Sequence, residues 1–289
     1  MLYNLMLLIP AILWGTLGIF VRNIDLPTMQ TVFYRTVLAS ISLVIIFYLS
    51  KKKLDKKALK SQFFKLMVAG IAIGFNWVAL FEAYKQTSVG VATVVYYLAP
   101  AMVIAASPFC YKERLTANKI LGLLAAILGM MLVSFSAGVG DVSLAGIALA
   151  FGGAVLYAGI TLVNKSIKGM DGFQVSMVEL LCAVPVLFLY TALFTTDGWI
   201  MPDTTSLINL VIVGAFHTGI CYGLYFSAVQ KVPAQTAAMY SFADPFTALL
   251  VSVTVLGEAM TWMQVGGAVC ILGGAMVAEL YRGKRGAST

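Results

Sequence analysis

The second half of this sequence repeats the first. Residues 74–134 read again as residues 219–279 at an offset of 145. The identical pairs include Gly74/Gly219, Phe81/Phe226, Ala83/Ala228, Ala92/Ala237, Pro100/Pro245, Glu113/Glu258, Gly122/Gly267 and Gly129/Gly274. An internal repeat in an apolar chain is typical of transporters, whose substrate sites lie where the two repeats meet.

Composition places the chain in a membrane. Of its 289 residues, 61% are hydrophobic and 11% are charged, whereas soluble domains carry about 25% charged residues. Apolar runs of about 20 residues, the length that crosses a bilayer, occur ten times between polar or turn-rich breaks. The sequence therefore predicts an all-α polytopic membrane protein with ten transmembrane helices. We place them at 3–21, 29–49, 65–84, 89–110, 116–136, 143–163, 173–194, 206–229, 234–255 and 261–280.

Each half of the chain holds five of these spans, and the odd number determines how the halves are related. After five crossings the second half enters the bilayer from the opposite face. Residues 1–140 and 141–289 are therefore predicted to form two inverted five-helix repeats. Such repeats permit alternating access, because each half can adopt the shape that the other holds.

The basic residues predict the orientation. Of the 19 lysines and arginines, sixteen lie on the side of the even-numbered loops and the C-terminal tail. Arg22 and Lys85 lie on the other side, and Arg35 falls inside the second span. Basic residues concentrate on the cytoplasmic side of membrane proteins, so both termini are predicted to be cytoplasmic, in a bacterial inner or plasma membrane. The lysine run at 51–60 is interpreted as a loop facing anionic lipid, and no nucleic-acid partner is expected.

Two residue patterns resemble each other and a known family. The first is Pro100 followed by Tyr111-Lys112-Glu113-Arg114-Leu115 and then Gly122 and Gly129. The second is Pro245 followed by Leu256-Gly257-Glu258 and then Gly267 and Gly274. Together they resemble the drug/metabolite transporter superfamily, in its EamA-type branch of ten-helix carriers. The first copy departs from the usual Gly-Glu pair, because Lys112 precedes Glu113.

This resemblance implies a central cavity lined by helices 1–4 and 6–9, with helices 5 and 10 at the periphery. It also implies a secondary carrier, most often an exporter of amino acids or other small organic metabolites. The chain has no nucleotide-binding loop of the G-x-x-x-x-G-K-[ST] kind, so direct ATP drive is not expected. Four cysteines without CxxC spacing and a single histidine suggest no metal site, disulfide framework or cofactor.

Prolines and glutamates recur in both halves. Pro100 and Pro245 fall near the middle of their spans, where proline frees the carbonyl four residues earlier and kinks the helix. A kink with polar backbone at the substrate site and a simple packing kink are both open interpretations. Glu113 and Glu258 precede the next span, where a carboxylate suits the free amides of a helix start, so both are predicted to be structural caps.

Five ionisable residues inside spans are the main functional candidates, because a charge in the bilayer costs about 2.5–3.5 kcal/mol or more unless it has a partner or a cavity. Asp244 is the strongest, as a site for a substrate cation or a proton. Arg35 is predicted either to pair with Glu179 across the repeats or to hold a substrate carboxylate. The proton-coupling candidates are Glu82, Glu179, His217 and Asp244. Lys85 lies three residues after Glu82, so a local ion pair is the alternative there, and a hydrogen-bonded core residue is the alternative for His217.

Aromatic residues form the predicted wall of the cavity. Trp14 and Tyr157 are repeat mates, as are Trp77 and Tyr222, so each half brings rings to a similar depth. Rings with acidic groups suit an aromatic or cationic solute by stacking and cation–π attraction, and packing is the alternative for any single ring. The predicted cavity rings are Trp14, Trp77, Tyr96, Tyr97, Tyr157, Tyr222, Tyr225 and Tyr240.

These observations favour a secondary transporter that moves small organic solutes, amino acids or related metabolites first, by alternating access and in the export direction. Proton coupling and simple facilitation both remain open. An exporter of drugs or organic cations is the alternative within the same fold. A non-transporting assembly subunit and an intramembrane enzyme are the alternatives of other classes. The expected partners are a small-molecule substrate and the lipid bilayer, with the chain as a monomer or a homodimer.

Overall fold

The computed structural model describes residues 2–51, 53–87, 89–135, 143–195, 198–255, 257 and 261–280. In these residues the regular structure is helical, with no strand. The first half contains α1 Leu2–Gly15, α2 Leu17–Val21, α3 Thr28–Leu49, α4 Lys56–Gln86, α5 Val89–Tyr96, α6 Ala99–Tyr111 and α7 Ala117–Phe135. The second contains α8 Leu144–Ser166, α9 Gly172–Phe194, α10 Thr204–Val211, a π-helix Ile212–Ile220, α11 Cys221–Val229, α12 Ala234–Tyr240, α13 Ala243–Thr254 and α14 Trp262–Leu280.

Eight helical stretches in the described residues are long and apolar enough to cross a bilayer. They are Leu2–Val21, Thr28–Leu49, Lys56–Gln86, Val91–Tyr111, Ala117–Phe135, Leu144–Ser166, Gly172–Phe194 and Thr204–Val229. Trp262–Ala278 is a shorter apolar helix, and α12 and α13 are two apolar helices separated at Ser241 and Phe242. The protein is therefore an all-helical integral membrane protein.

Helix α4 begins nine residues before the predicted third span. Its N-cap is Asp55, whose carboxylate accepts hydrogen bonds from the amides of Lys57 at 2.8 Å and Ala58 at 3.1 Å. A capping aspartate stabilises a helix start, so the charged turns that follow it extend the helix beyond the apolar run. The boundary near residue 65 marks the hydrophobic stretch, not the helix.

Several helices break inside their apolar runs. Thr16 separates α1 from α2, Tyr97 and Leu98 separate α5 from α6, and Ser241 and Phe242 separate α12 from α13. The last two breaks directly precede the segments that carry Pro100 and Pro245, and they share one mated position, Tyr97 in the first half and Phe242 in the second. The carbonyl of Ser241, which the sequence predicts to be free, instead accepts from the amide of Asp244 at 3.3 Å, because the chain turns at this point.

Helices α7 and α14 pack backbone against backbone along their length. A Cβ atom built on Gly129 would lie 2.5 Å from the carbonyl oxygen of Gly267, and one on Gly267 would lie 2.7 Å from that of Gly129. Gly122 and Gly274 meet in the same way. These are the glycines conserved between the two copies of the repeat, and they let the two backbones touch, as small residues do at helix interfaces in lipid.

Many of the remaining helix contacts also join the two halves. Helix α4 packs against α8 and α9, α3 packs against α9 and the π-helix, and α1 packs against α11 and α13. The main buried cluster accordingly mixes residues of both halves, including Leu7, Leu43, Ile73, Leu180 and Phe226. The functional site therefore has to be sought where elements of the first half face elements of the second.

The α7–α14 contact predicts different effects for two adjacent glycines. Gly267→Ala places a methyl group against the backbone of α7, and overpacking of this kind costs about 1–3 kcal/mol. Gly266→Ala meets nothing within 4 Å and gains helix propensity of up to about 1 kcal/mol. Thermal unfolding of the purified protein in detergent should show a lower Tm for Gly267→Ala and an unchanged or higher Tm for Gly266→Ala. Equal shifts in the two variants would contradict the close packing.

Candidate functional site

A cavity of about 560 Å³ lies between the two halves of the chain. It is bordered by α1 to α7 of the first half and by α8, the π-helix, α11, α13 and α14 of the second. Ten of the residues selected from the sequence line it: Trp14, Arg35, Trp77, Tyr96, Tyr97, Pro100, Tyr157, Tyr222, Asp244 and Pro245.

The two halves contribute matching positions to the cavity wall. Five pairs of repeat mates line it from both sides: Trp14/Tyr157, Trp77/Tyr222, Tyr96/Ser241, Ala99/Asp244 and Pro100/Pro245. Asp244 has no charged counterpart in the first half, because its repeat mate there is Ala99. The cavity therefore has a symmetric frame with an asymmetric set of polar groups.

Arg35 is a cation without an acidic partner in this cavity. It lies on α3, with its guanidinium carbon 4.4 Å from the centroid of the Trp77 ring and 5.9 Å from that of Phe81. Its Nε is buried without a hydrogen-bond partner, and no carboxylate of the described residues lies within 4.0 Å of it. The cation–π contact with Trp77 partly offsets the cost of the unpaired charge. The structure does not bring Arg35 and Glu179 together as an ion pair.

Asp244 carries the negative charge of the cavity. It lies in the first turn of α13, directly after the break at Ser241 and Phe242, and the hydroxyl of Tyr97 donates to its Oδ2 at 2.7 Å. Tyr97 stands at the corresponding break between α5 and α6. The two broken helices therefore meet through this hydrogen bond. One carboxylate oxygen of Asp244 is held by the protein, and Asp244 has no basic partner within 4.0 Å among the described residues.

Tyr96 is oriented by Asn76, a residue without a predicted role. Its hydroxyl donates to Oδ1 of Asn76 at 3.2 Å, and Nδ2 of Asn76 donates to the carbonyl of Gly153 at 2.7 Å. Asn76 is buried on α4, next to Trp77. A buried asparagine needs partners for its amide, and its place in an apolar span beside a cavity ring was the signal that could have identified it.

The cavity rings lie in two contacting groups, Trp14 and Trp77 with Tyr222, and Tyr96 with Tyr97 and Tyr157. Trp14 lies 6.3 Å from Tyr222 between ring centroids, Trp77 lies 6.4 Å from Tyr222, and Tyr96 lies 5.9 Å from Tyr157. The indole nitrogen of Trp14 donates to the carbonyl of His217 at 2.8 Å, so it has no hydrogen left for a ligand. These separations are those of interacting aromatic pairs.

Two predicted cavity rings lie outside the wall. Tyr225 is buried in the core, where its hydroxyl donates to the carbonyl of Ala237 at 3.2 Å and its ring packs 5.2 Å from Trp14. Tyr240 borders a separate apolar groove with Leu8 and Phe242. The sequence analysis placed all eight rings in one cavity wall, whereas the structure places these two away from it, because the sequence does not show which helix face meets the cavity.

His217 lies behind the wall. Its Nδ1 lies 3.2 Å from the carbonyl of Ile212, which can only accept, and its Nε2 lies 3.0 Å from Oγ1 of Thr16. The π-helix provides the first contact, since its wider turn aligns each residue with the one five positions earlier. Both ring nitrogens are engaged, and His217 does not line the cavity.

Glu179 is fully buried on α9 and also lies away from the cavity wall. Asn164 of α8 donates from Nδ2 to Oε2 of Glu179 at 3.1 Å. Oε1 of Glu179 and Oδ1 of Asn164 are buried without hydrogen-bond partners. Glu82 differs, because it forms an ion pair with Lys85 at 2.7 Å on the surface of α4.

Glu113 caps a helix, but not the one that follows it in sequence. Its Oε1 accepts from the amide of Ala234 at 2.7 Å and its Oε2 from that of Gln235 at 3.2 Å. These amides begin α12, in the other half of the chain. The prediction of a cap for the next helix was therefore wrong in its target, since the fold brings the start of α12 nearer than that of α7. Glu258 lies outside the described residues.

Comparison with known proteins agrees with this architecture. The model of the EamA-like transporter family matches residues 1–135 and again residues 144–279. The "Uncharacterized transporter YxxF" of Bacillus subtilis (strain 168) is 28% identical over 287 residues, which cover 96% of this chain and 89% of that protein. The "Probable amino-acid metabolite efflux pump" of Salmonella typhimurium (strain LT2) is 27% identical over 73% of this chain and 75% of its own.

A solved structure shows the same fold. It superposes with a TM-score of 0.86 over 96% of this chain and 98% of its own, at 19% sequence identity. The two family matches together span nearly the whole sequence and include every residue of the cavity wall. The chain is thus a membrane protein that belongs to the EamA-like transporter family.

Proposed function

We propose that this transporter is a secondary carrier of small zwitterionic solutes, amino acids and related metabolites, and that it exports them by alternating access. The proposal rests on two opposite charges that line the same aromatic cavity without forming an ion pair. Arg35 and Asp244 both line it, and neither has an oppositely charged partner within 4.0 Å among the described residues. Unpaired charges inside a membrane protein are costly and mark substrate or ion pathways.

The hydrogen-bond pattern gives each charge a separate role. Tyr97 donates its hydroxyl hydrogen to Asp244 and Tyr96 donates its own to Asn76, so both phenol oxygens can only accept from a ligand. This region of the cavity suits an ammonium group. The guanidinium of Arg35 only donates and suits a carboxylate. Solutes with both groups match the cavity, and the rings around them accommodate an apolar or aromatic side chain.

Drugs and organic cations are the second candidate class. Asp244 and the aromatic wall would attract them by charge and by cation–π contact. A purely cationic solute would leave Arg35 without a partner and would experience its repulsion in a medium of low dielectric constant. The presence of Arg35 therefore favours zwitterions over cations. The Salmonella relative is named a probable amino-acid metabolite efflux pump, which supports the same substrate class and the export direction.

The transport mechanism that we propose uses ten helices in two inverted repeats, residues 1–140 and 141–289. Its support comes from the crossed glycine contacts. Gly122 meets Gly274 and Gly129 meets Gly267, and a two-fold axis that exchanges the repeats converts one contact into the other. The distribution of basic residues supports cytoplasmic termini, in a bacterial inner membrane. One chain supplies the whole cavity, so the proposal requires no second copy.

Proton coupling is the form of energy supply that we favour over simple facilitation. Asp244 is one carrier, because a proton and a substrate ammonium compete for its carboxylate. Glu179 is the second, because it is buried in a span without a basic partner. A proton bound to Oε1 of Glu179 would turn this unpartnered oxygen into a donor. The unpartnered Oδ1 of Asn164 is an acceptor for such a hydrogen. His217 and Glu82 are weaker candidates, since their polar atoms already have partners.

The role of Asp244 predicts a charge-specific loss of transport. Asp244→Asn keeps the size of the side chain and removes the charge, so binding of an ammonium group should weaken about 10- to 100-fold, the range for hydrogen bonds to charged groups. The measurement is the current of proteoliposomes on a solid-supported membrane, challenged with a pool of amino acids with and without a pH gradient. Asp203→Asn is the matched control, because Asp203 is an exposed N-cap and asparagine caps equally well. An undiminished current in Asp244→Asn would contradict the assignment.

The role of Arg35 predicts a change of substrate preference. Arg35→Gln removes the carboxylate partner and the repulsion of cations together. Binding of an aromatic amino acid should fall at least about tenfold, whereas binding of the corresponding decarboxylated amine should be kept or improved. Ligand-induced changes of tryptophan fluorescence in purified protein give both affinities, with the exposed Arg22→Gln as control. Parallel losses for the amino acid and the amine would contradict a carboxylate site at Arg35.

A further inference from the structure

A polar cluster lies where α6 ends and α7 begins, away from the cavity. Its centre is Glu113, which accepts from the amides of Ala234 and Gln235. Lys165 lies 3.7 Å from Oε1 of Glu113 and donates to the carbonyl of Val232. Both charged side chains are mostly buried, with about 13–14% of their surface exposed. We refer to these groups, with Ser107, Tyr111 and Lys119, as the Glu113 cluster.

Nearly all contacts of the Glu113 cluster join the first half of the chain to the second. Lys119 of α7 donates to Oε1 of Gln235, and Nε2 of Gln235 donates to Ser107 of α6 at 2.6 Å. Tyr111 of α6 donates to the carbonyl of Leu162 of α8, and Lys165 lies over its ring at 5.3 Å. The bond from Lys165 to Val232 and that from Ser107 to the carbonyl of Ile104 stay within one half. Separation of the halves at this end would break the rest together.

The position of the cluster follows from the helices that it shares with the cavity. The cavity reaches Ala99 and Pro100 at the start of α6, and the cluster holds Ser107 about 10 Å further along that helix, at 1.5 Å per residue. On α7 the order is the same, since Lys119 is in the cluster and Ser134, at the other end, lines the cavity. Between cavity and cluster lies a buried apolar layer that includes Val103 and Ile104.

We propose that the Glu113 cluster is the cytoplasmic gate of the transporter, with Glu113 as its latch. The inference rests on the alternating access and the orientation proposed above. Both capped amides lie at the start of α12, where no carbonyl of the helix itself is available to them. In the closed gate the carboxylate of the other half satisfies them. In the open gate water replaces it, so the latch can release without leaving buried polar groups unpaired.

The charges of the cluster explain why Glu113 in particular holds the gate. Lys119 reaches across from the first half and Lys165 belongs to the second, so the gate brings two cations together. Glu113 is the acidic residue that the structure places between the halves at this point. Neutralisation of Glu113 removes its attraction for Lys165 and leaves the two lysines repelling each other. The closed gate therefore becomes less stable.

The test measures opening directly and requires no substrate. A single cysteine is introduced at Ala238, a buried residue of α12, after replacement of the native Cys110, Cys182, Cys221 and Cys270. A membrane-impermeant maleimide is applied to inside-out and to right-side-out vesicles. We expect Glu113→Gln to raise the labelling rate from the cytoplasmic face about tenfold, the lower range for loss of a charged hydrogen bond.

Asp55→Asn is the matched control for this experiment. Asp55 is also a capping carboxylate that accepts two amides, but it caps α4 within its own half, so its neutralisation should leave the labelling rate unchanged. If Glu113→Gln does not fold, as judged by its elution as a single species, Gln235→Ala takes its place. This milder change removes the contacts to Lys119 and Ser107 and should raise the same rate several-fold.

Unchanged cytoplasmic labelling in the folded variants would overturn the gate, as would faster labelling from the outer face alone. These results are independent of the substrate. Faster cytoplasmic labelling together with silence towards amino acids would support the gate and would contradict only the proposed substrate class. Amino-acid currents with unchanged labelling would support the carrier and would overturn the role of Glu113.

Discussion

In a bilayer, every backbone amide and carbonyl needs a hydrogen-bond partner inside the protein or in a water-filled cavity, and this constraint organises the whole structure. Continuous helices meet it by themselves, so they form the lipid-facing frame. The broken helices lie around the cavity, where Thr16, Tyr97 and Ser241 mark the interruptions and local turn hydrogen bonds pair the backbone. The same interruptions bring Trp14, Tyr97 and Asp244 into one space. The candidate site therefore lies where the helices of this fold are interrupted.

The repeat explains both the symmetry and the specificity of that site. Duplication fixed the frame, because mated positions such as Trp77 and Tyr222 line the cavity from both sides. The charged residues differ between the two copies, since Asp244 corresponds to Ala99 and both positions line the cavity. A carrier can exchange its two half-structures during transport only if the frame is alike, whereas recognition of a solute with different ends requires unlike polar groups.

Much of this arrangement could be predicted from the sequence, because hydrophobicity and the repeat offset report on single helices and on their mates. Eight of the ten proposed cavity residues and both prolines line the cavity. The partners of these residues could not be predicted. Tyr97 as the donor to Asp244, Asn76 as the acceptor for Tyr96 and α12 as the helix capped by Glu113 all depend on which helices face each other across the halves. No local pattern contains that information.

The glycine contact between α7 and α14 also has a consequence for biosynthesis. Helix α7 ends at Phe135 and α14 at Leu280, so 145 residues are translated between them. At about 5–20 residues per second this interval lasts roughly 7–30 s. Throughout it the glycine face of α7, whose backbone is shielded only by α14, is left in contact with lipid or with the insertion machinery. This interface is therefore completed only when α14 has left the ribosome, and a nascent chain that stops before Trp262 leaves the glycine face of α7 without its partner.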